Sequence, residues 1–504
     1  MGLKTFEDYY SRLEKMSSNL YLDGEKISRT DDRLQGGIRI IRETFDRAKD
    51  KDYIDLCTAV SHLTGEKISR FCHIHQSTED LLKKQQMTRV LCHRAGGCIQ
   101  RCMGIDGLNA LSVVTYEMDE ALGTDYDKRF RAYLKYFQEN DLVASCAQTD
   151  PKGDRLKRPY QQEDPDLYLR IVETKADGIV VRGGKINITN TPYADEIVVV
   201  PTRFMTEKDN SYAVAFAIPS DAEGVKTLVR PAYHHKRKHL KAPIADIGDA
   251  EAFIIFDDVF IPNDRIFLNG NEDPRQTPYA GFLALLFAHY HRHSYTGCKP
   301  AVSEVLASAA ALVAEYNGIE SQAHVRDKIS HLIGTAELVF AAGQMSAYRA
   351  VRSPSGTCIP DEILTNAGRR LAGEEIYNEF RILADLSGGL VATLPFEEEF
   401  FSKEVGVLAN KYLKRNPGVS SENIHRCFRG IENLMVSDMG VVVGQVAGLH
   451  GGGSPQMETI TMMSRYDLES LKKIAKYLFG IEDKLSLYER PTVTPREMLE
   501  KFRK

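Results

Sequence analysis

Gly178-Ile-Val-Val-Arg-Gly-Gly-Lys-Ile-Asn-Ile-Thr189 is the stretch that decides the fold. Its β-branched residues, broken by a glycine pair, suit two short strands, 178–182 and 185–189, and lack the spacing of an amphipathic helix. Working outward, Leu167–Val172, Glu196–Val200, Tyr212–Phe216 and Phe253–Phe256 have the same character. Residues 145–275 are therefore expected to form a central β-barrel or sandwich domain. On both sides the period changes to that of helices. Ile38-Ile41-Phe45 and Phe130-Tyr133-Leu134-Phe137 place apolar residues three and four apart before it, and Ser77-Thr-Glu-Asp80 reads as a helix start. Beyond Pro274, helices are expected over 280–295, 301–316, 324–351, 361–386, 422–443 and 467–478. The expected class is α+β, with an N-terminal helical domain (1–144), the central β domain and a C-terminal helical bundle (276–504).

This order of helices, β domain and helices resembles the layout of acyl-CoA dehydrogenase-like flavoproteins. A chain of 504 residues buries adequate cores without metals or disulfides, so any cofactor would serve chemistry. The net charge of −5, from 65 basic and 70 acidic residues mixed along the chain, gives no electrostatic reason to expect nucleic acid or a membrane surface. The polar start Met1–Tyr10 is unlike a signal peptide and no uninterrupted apolar run is long enough to span a bilayer, so a cytoplasmic location is expected. Nine cysteines, an odd number, argue against a disulfide framework and leave thiols for metal or redox work.

Two stretches carry candidate ligands. In Cys98-Ile-Gln-Arg-Cys102 a helix would put both thiols on one face, and in His291-Arg-His-Ser-Tyr-Thr-Gly-Cys298 the i, i+4, i+7 spacing aligns His291, Tyr295 and Cys298 in one stripe. Three thiols and an imidazole suit an iron–sulfur cluster or tetrahedral zinc, although zinc usually closes shorter loops. His289 and His293 read as polar-face residues. Cys92, with Cys57, Cys72, Cys146, Cys358 and Cys427, reads as apolar filler. Cys146-Ala-Gln-Thr-Asp-Pro-Lys-Gly-Asp-Arg155 and Ile188–Pro192 offer groups suited to a flavin ring and diphosphate, or plain polar loops. Gly448-Leu-His-Gly-Gly-Gly-Ser-Pro455 lacks the dinucleotide order and either brings backbone to a cofactor or ends a helix. The basic run Tyr233-His-His-Lys-Arg-Lys-His239 reads as a solvated loop, with a CoA-phosphate site as the other reading.

Taken together, the cysteine and histidine stretches, Thr149–Arg155, Phe256–Phe267 and His450–Gln456 resemble the 4-hydroxybutyryl-CoA dehydratase family, over the chain from its first helices to about Ile481. The wider family includes flavin hydroxylases acting on 4-hydroxyphenylacetate, which lack the cluster cysteines. The resemblance implies Cys98, Cys102, His291 and Cys298 as ligands of a 4Fe-4S cluster, and His291, Tyr295, Lys299, Glu251 and Gln100 as catalytic residues. It implies FAD near Gln148, Thr149, Lys152, Arg155, Thr189, Asn190, Gly388, Gly389, Gly452 and Gly453, an acyl-CoA substrate and a homotetramer. The implied reaction converts 4-hydroxybutyryl-CoA to crotonyl-CoA, with isomerisation of vinylacetyl-CoA as a companion activity. The thioester acidifies only C2, so removing the C3 hydrogen calls for a one-electron, radical route. Ala447 stands where the resemblance expects a glutamate, which turns attention to isomerisation or a related acyl-CoA. A flavin-dependent aromatic monooxygenase is the alternative of another class.

Overall fold

The computed structural model describes residues 2–485 together with Arg490, Thr494, Glu497, Leu499 and Glu500. It is a mixed α/β fold. The stretch quoted above forms one strand, Gly178–Thr189, rather than two. Gly183 explains the difference: its φ of +133° and the approach of the Leu169 backbone, within 2.7 Å of where a Cβ would stand, need glycine but do not interrupt the pairing. This strand pairs antiparallel with Gly248–Pro262, where Glu251 faces Thr189.

A six-stranded sheet runs in the order Glu25–Ile27, Leu20–Leu22, Val225–Tyr233, Gly248–Pro262, Gly178–Thr189, Arg170–Thr174. A four-stranded sheet has the order Ile266–Asn269, Val214–Pro219, Glu196–Val199, Ala144–Ala147. The first 143 residues are thus not purely helical. The hairpin Leu20–Ile27 turns at Asp23-Gly24, both with positive φ, and Leu20 pairs with Thr227 of the β unit. A second hairpin joins Thr58–Val60 to Lys67–Ser69.

Among the helices, Thr78–Ala95 is capped as expected, with the Ser77 hydroxyl accepting from the Asp80 amide at 3.2 Å. The two helices expected around Pro300 are one, Thr277–Asn317, of 41 residues. An internal proline costs a helix about 3 kcal/mol or more. Here Thr78–Ala95, Cys102–Leu122, Ala323–Tyr348 and Glu362–Ser387 all pack on the long helix, and their burial offsets that cost. By length and composition alone this helix would pass for a membrane span, but half of its most apolar window is buried inside the fold. The main core joins the helices before residue 140 to both sheets and to the first half of the long helix, through Leu108, Val198, Phe216 and Leu283. A second core lies among the C-terminal helices. After Ser421–Met435 the chain forms a π-helical turn, Gly440–Val446, followed by Ala447–His450, the glycine loop and Pro455–Arg465.

Candidate active site

The long helix carries His291, Tyr295 and Cys298 as one stripe, with the His291 and Tyr295 rings edge-on at 5.6 Å. Facing them, the two nearby cysteines do not share a helix face. Thr78–Ala95 ends at Gly96 (φ +59°), Cys98 sits in the connector, and Cys102 begins the helix Cys102–Leu122. Gln100 takes φ +62°, folding the connector so that its amide donates to the Cys98 sulfur at 3.3 Å. The Cys98 and Cys102 thiols then hydrogen-bond each other. That bond holds Cys98 below its ordinary range, while the same bond and burial push Cys102 well up. Cys92, in the last turn of Thr78–Ala95, is core filler as expected, and its thiol neighbours that of Cys298.

Asp106, one turn after Cys102, organises the centre. A Cys102 thiol, an Asp106 oxygen and a His291 nitrogen lie within 4.8 Å of one another. Asp106 is fully buried and sits 3.0 Å from His291 Nδ1, 2.9 Å from the Ser294 hydroxyl and 2.5 Å from Lys84 Nζ. Burial pushes its carboxyl up, but Lys84 and His291 outweigh this and hold it below the usual range. The ionised carboxylate accepts the Nδ1 proton and leaves Nε2 of His291 as the free donor atom.

Two acids approach from the sheet. Glu251 accepts the Thr189 hydroxyl at 2.8 Å, and burial raises its carboxyl. Asp249, two residues earlier, is buried with the Ala250 amide at 2.7 Å; burial, then the Glu251 and Cys98 charges, raise it well above the usual range. Gln100 Nε2 donates to the Gly248 carbonyl at 2.8 Å, while its buried Oε1 has no partner.

The glycine loop closes the other side. A Cβ on Gly452 would lie 3.3 Å from His291 Cδ2, and one on Gly451 would lie 2.0 Å from the Tyr295 hydroxyl. The Tyr295 hydroxyl donates to the Ala447 carbonyl at 2.5 Å, and burial pushes the phenol up, so it stays protonated. Arg369 lies 4.3 Å over the Tyr295 ring and donates to the Gly451 and Leu449 carbonyls at 2.7 and 2.9 Å. Arg292 donates to the Gly452 carbonyl at 2.9 Å. Glu458 is buried just past the loop, its oxygens without a hydrogen bond and 3.4 Å from Arg292.

The family models described as 4-hydroxyphenylacetate 3-hydroxylase N terminal and C terminal match residues 5–268 and 280–480. The chain is 39% identical to a 4-hydroxybutyryl-CoA dehydratase/vinylacetyl-CoA-Delta-isomerase of Clostridium aminobutyricum, over 95% of this chain and 100% of the other. The chain belongs to the 4-hydroxybutyryl-CoA dehydratase family, within the 4-hydroxyphenylacetate 3-hydroxylase family. An oxygen-tolerant archaeal 4-hydroxybutyryl-CoA dehydratase from N. maritimus superposes with a TM-score of 0.90 at 36% identity, covering 97% of each chain. The oxygenase component of 4-hydroxyphenylacetate 3-monooxygenase complexed with FAD shares the fold, with a TM-score of 0.83 at 24% identity over 95% of this chain and 98% of that one.

Against the residues that the dehydratase family resemblance implied, the structure is selective. It gathers Cys98, Cys102, His291, Cys298, Tyr295, Gln100, Glu251, Gly452 and the spent hydroxyl of Thr189 in one neighbourhood. Lys299 instead pairs with Glu379 at 2.5 Å. Gln148 gives its amide to the Ala284 carbonyl at 2.9 Å, and Thr149 contributes its carbonyl to Ile186 at 2.8 Å. Lys152 has Arg155 and Arg203 as cationic neighbours, and none of the three is ion-paired among the described residues. Asn190 (φ +73°) is buried with its Oδ1 unpartnered. Gly388 ends the helix Glu362–Ser387 with φ +68°, beside Gly389, and the carbonyl of Gly453 accepts Arg369 at 3.4 Å. His289 and His293 are not polar-face residues: both are buried, and burial lowers them to about 4 and about 3. Sequence reasoning missed Asp106, Asp249, Arg292 and Arg369. The i+4 spacing from Cys102 could have flagged Asp106; nothing local marks Arg369.

Proposed function

We propose that this chain is a 4Fe-4S- and FAD-dependent 4-hydroxybutyryl-CoA dehydratase with vinylacetyl-CoA Δ-isomerase activity, working in the cytoplasm as a homotetramer. The observation that carries the reading is the convergence of three thiols and an imidazole from separate segments, with Asp106 behind the imidazole. The set fits a cluster: a Cys102 sulfur and a His291 nitrogen lie within 4.8 Å of each other, Cys98 adjoins Cys102 through the connector, and a buried carboxylate stands behind the imidazole. Cys98, Cys102, Cys298 and His291 would hold it. Zinc would accept the same donors, and metal analysis separates the two. For FAD, the unpaired Lys152, Arg155 and Arg203 suit a diphosphate, and the orphaned Asn190 Oδ1 suits a ring or ribose donor. When bound, the two groups supply one-electron chemistry and a Lewis acid for the leaving hydroxyl.

The chain's own residues manage protons and orientation. Burial favours the neutral forms of Glu251 and Asp249, which can donate a proton, and Gln100 offers an unpartnered carbonyl oxygen between them and the thiols. Tyr295 stays protonated and is fixed by the Ala447 carbonyl and Arg369. His291 is held by Asp106 so that one nitrogen faces the ligand or the C2 proton. The glycine loop brings backbone against both rings and excludes water from this side. At position 447 only a backbone carbonyl is presented, while Glu458 supplies a buried carboxyl raised by burial. This favours a companion reading in which isomerisation outruns dehydration unless Glu458 supplies the proton.

Anaerobically purified protein is expected to hold about four irons and one flavin per chain, and Cys298→Ala to lose iron and activity together. Stoichiometric zinc without iron or sulfide would overturn the reading. The ratio of dehydration to isomerisation in wild type and Glu458→Gln decides between the two activities.

A further inference from the structure

A lysine taken out of water needs acceptors around it. Lys84 projects from the middle of Thr78–Ala95 and is 1% exposed. It belongs neither to the four proposed ligands nor to the groups that handle protons. Both acceptors of its Nζ lead to His291. One is the backbone carbonyl of Tyr290, the residue before His291, at 3.0 Å. The other is Asp106 Oδ1, at 2.5 Å. The second oxygen of that carboxylate, Oδ2, meets His291 Nδ1 at 3.0 Å. One amino group therefore holds the helix backbone just before the imidazole and the carboxylate just behind it.

The division of Asp106 between its partners has a geometric consequence. The torsion that turns an aspartate carboxylate is soft, so a carboxylate bonded at one oxygen alone can swing that oxygen out of line. With Lys84 on Oδ1 and His291 on Oδ2, the plane is set from both ends. The Ser294 hydroxyl lies 3.1 and 2.9 Å from the two oxygens, but it has one hydrogen to give and fits either of them. Lys84 is therefore the partner that decides which way Oδ2 points. Thr78–Ala95 and Cys102–Leu122 both pack on the long helix, and Lys84 ties all three together at the imidazole.

We infer that Lys84 is a positioning residue for His291: by holding Asp106 Oδ1 it fixes the carboxylate plane, and through Oδ2 the direction and tautomer of the imidazole. The inference rests on the reading of His291 as a cluster ligand, and it extends the supporting groups to a helix that carries none of the four ligands.

The test is a double-mutant cycle on the anaerobically purified, cofactor-loaded protein: wild type, Lys84→Met, Asp106→Asn and Lys84→Met/Asp106→Asn. Two properties are read, the coupling of an imidazole nitrogen to the reduced cluster by pulsed EPR and the rate of iron release to bipyridyl. Lys84→Met is expected to alter the nitrogen coupling and to speed iron release by about tenfold or more. Because Lys84 acts through Asp106, the double variant is expected to release iron no faster than the faster single variant. Lys84→Met leaves Asp106 as an uncompensated buried charge. Should it fail to fold, the comparison of Asp106→Asn with the double variant carries the test. Wild-type coupling and release in Lys84→Met would overturn the inference. So would their recovery in the double variant, which would make Lys84 a counter-charge alone, or a double variant whose release multiplies the two single effects, which would place the action of Lys84 elsewhere. A wild-type protein whose iron shows no imidazole nitrogen would instead overturn the reading of His291 as a ligand.

Discussion

Asp106 shows how one residue sets the chemistry of its neighbours. A carboxylate removed from water is stable only with partners, and Lys84, Ser294 and His291 supply them. Because its carboxyl is held low in the folded state, the pairing is fully present above the unfolded value near 4 and is lost as pH falls through the lowered folded value. Asp106→Asn keeps the shape but frees the His291 tautomer and strands Lys84. It is expected to cost about 10–100-fold in metal affinity or turnover. Iron per chain and activity, measured on the same preparation, check this; a variant that keeps both would show that Asp106 does not orient the ligand.

Between elements, the long helix is joined to Glu362–Ser387 by the buried pair of Lys299 and Glu379, with Ser303 bonding the same carboxylate. Removing one partner leaves an uncompensated buried charge, so Lys299→Met is expected to lose about 3–5 kcal/mol of stability. Lys299→Met/Glu379→Leu removes both charges and should recover most of it, which denaturant unfolding reads directly. Full turnover in the double variant would make Lys299 a strut between helices; lost turnover at recovered stability would make it part of the chemistry. The break before Cys98 belongs to this scale too. The i+4 spacing of Cys98 and Cys102 was legible, but Gly96-Gly97 ends the helix first, and the thiols meet through a turn that only Gln100's positive φ permits.

For the whole molecule, the C-terminal helical part leaves large apolar side chains in water. Leu338, Met345 and Tyr348, spaced seven and three apart on Ala323–Tyr348, are 64%, 50% and 66% exposed. Val407 and Tyr412 are 81% and 79% exposed. A contiguous apolar stripe on a helix face is the mark of an interface, and it supports the proposed homotetramer. Leu338→Glu/Met345→Glu is expected to give a smaller particle by light scattering with the monomer's helix content retained. An unchanged mass would place the contacts elsewhere.

The sequence by itself determined the alternation of helical and strand periods, the helix start at Ser77 and the stripe on the long helix, because each depends on spacing along the chain, while the family came from the resemblance of whole motifs. It could not settle whether Pro300 breaks a helix, since four packing neighbours decide that, or whether Gly183-Gly184 divides a strand, since the approach of Leu169 decides that. The N-terminal hairpin's place in the β sheet, the burial of His289 and His293, and the partner of Lys299 were equally beyond it. Arg369 and the Ala447 carbonyl reach Tyr295 from segments more than seventy residues away. Which side chains desolvate one another is a property of packing, and burial and proximity, the causes of every shifted acid here, exist only once the chain has folded.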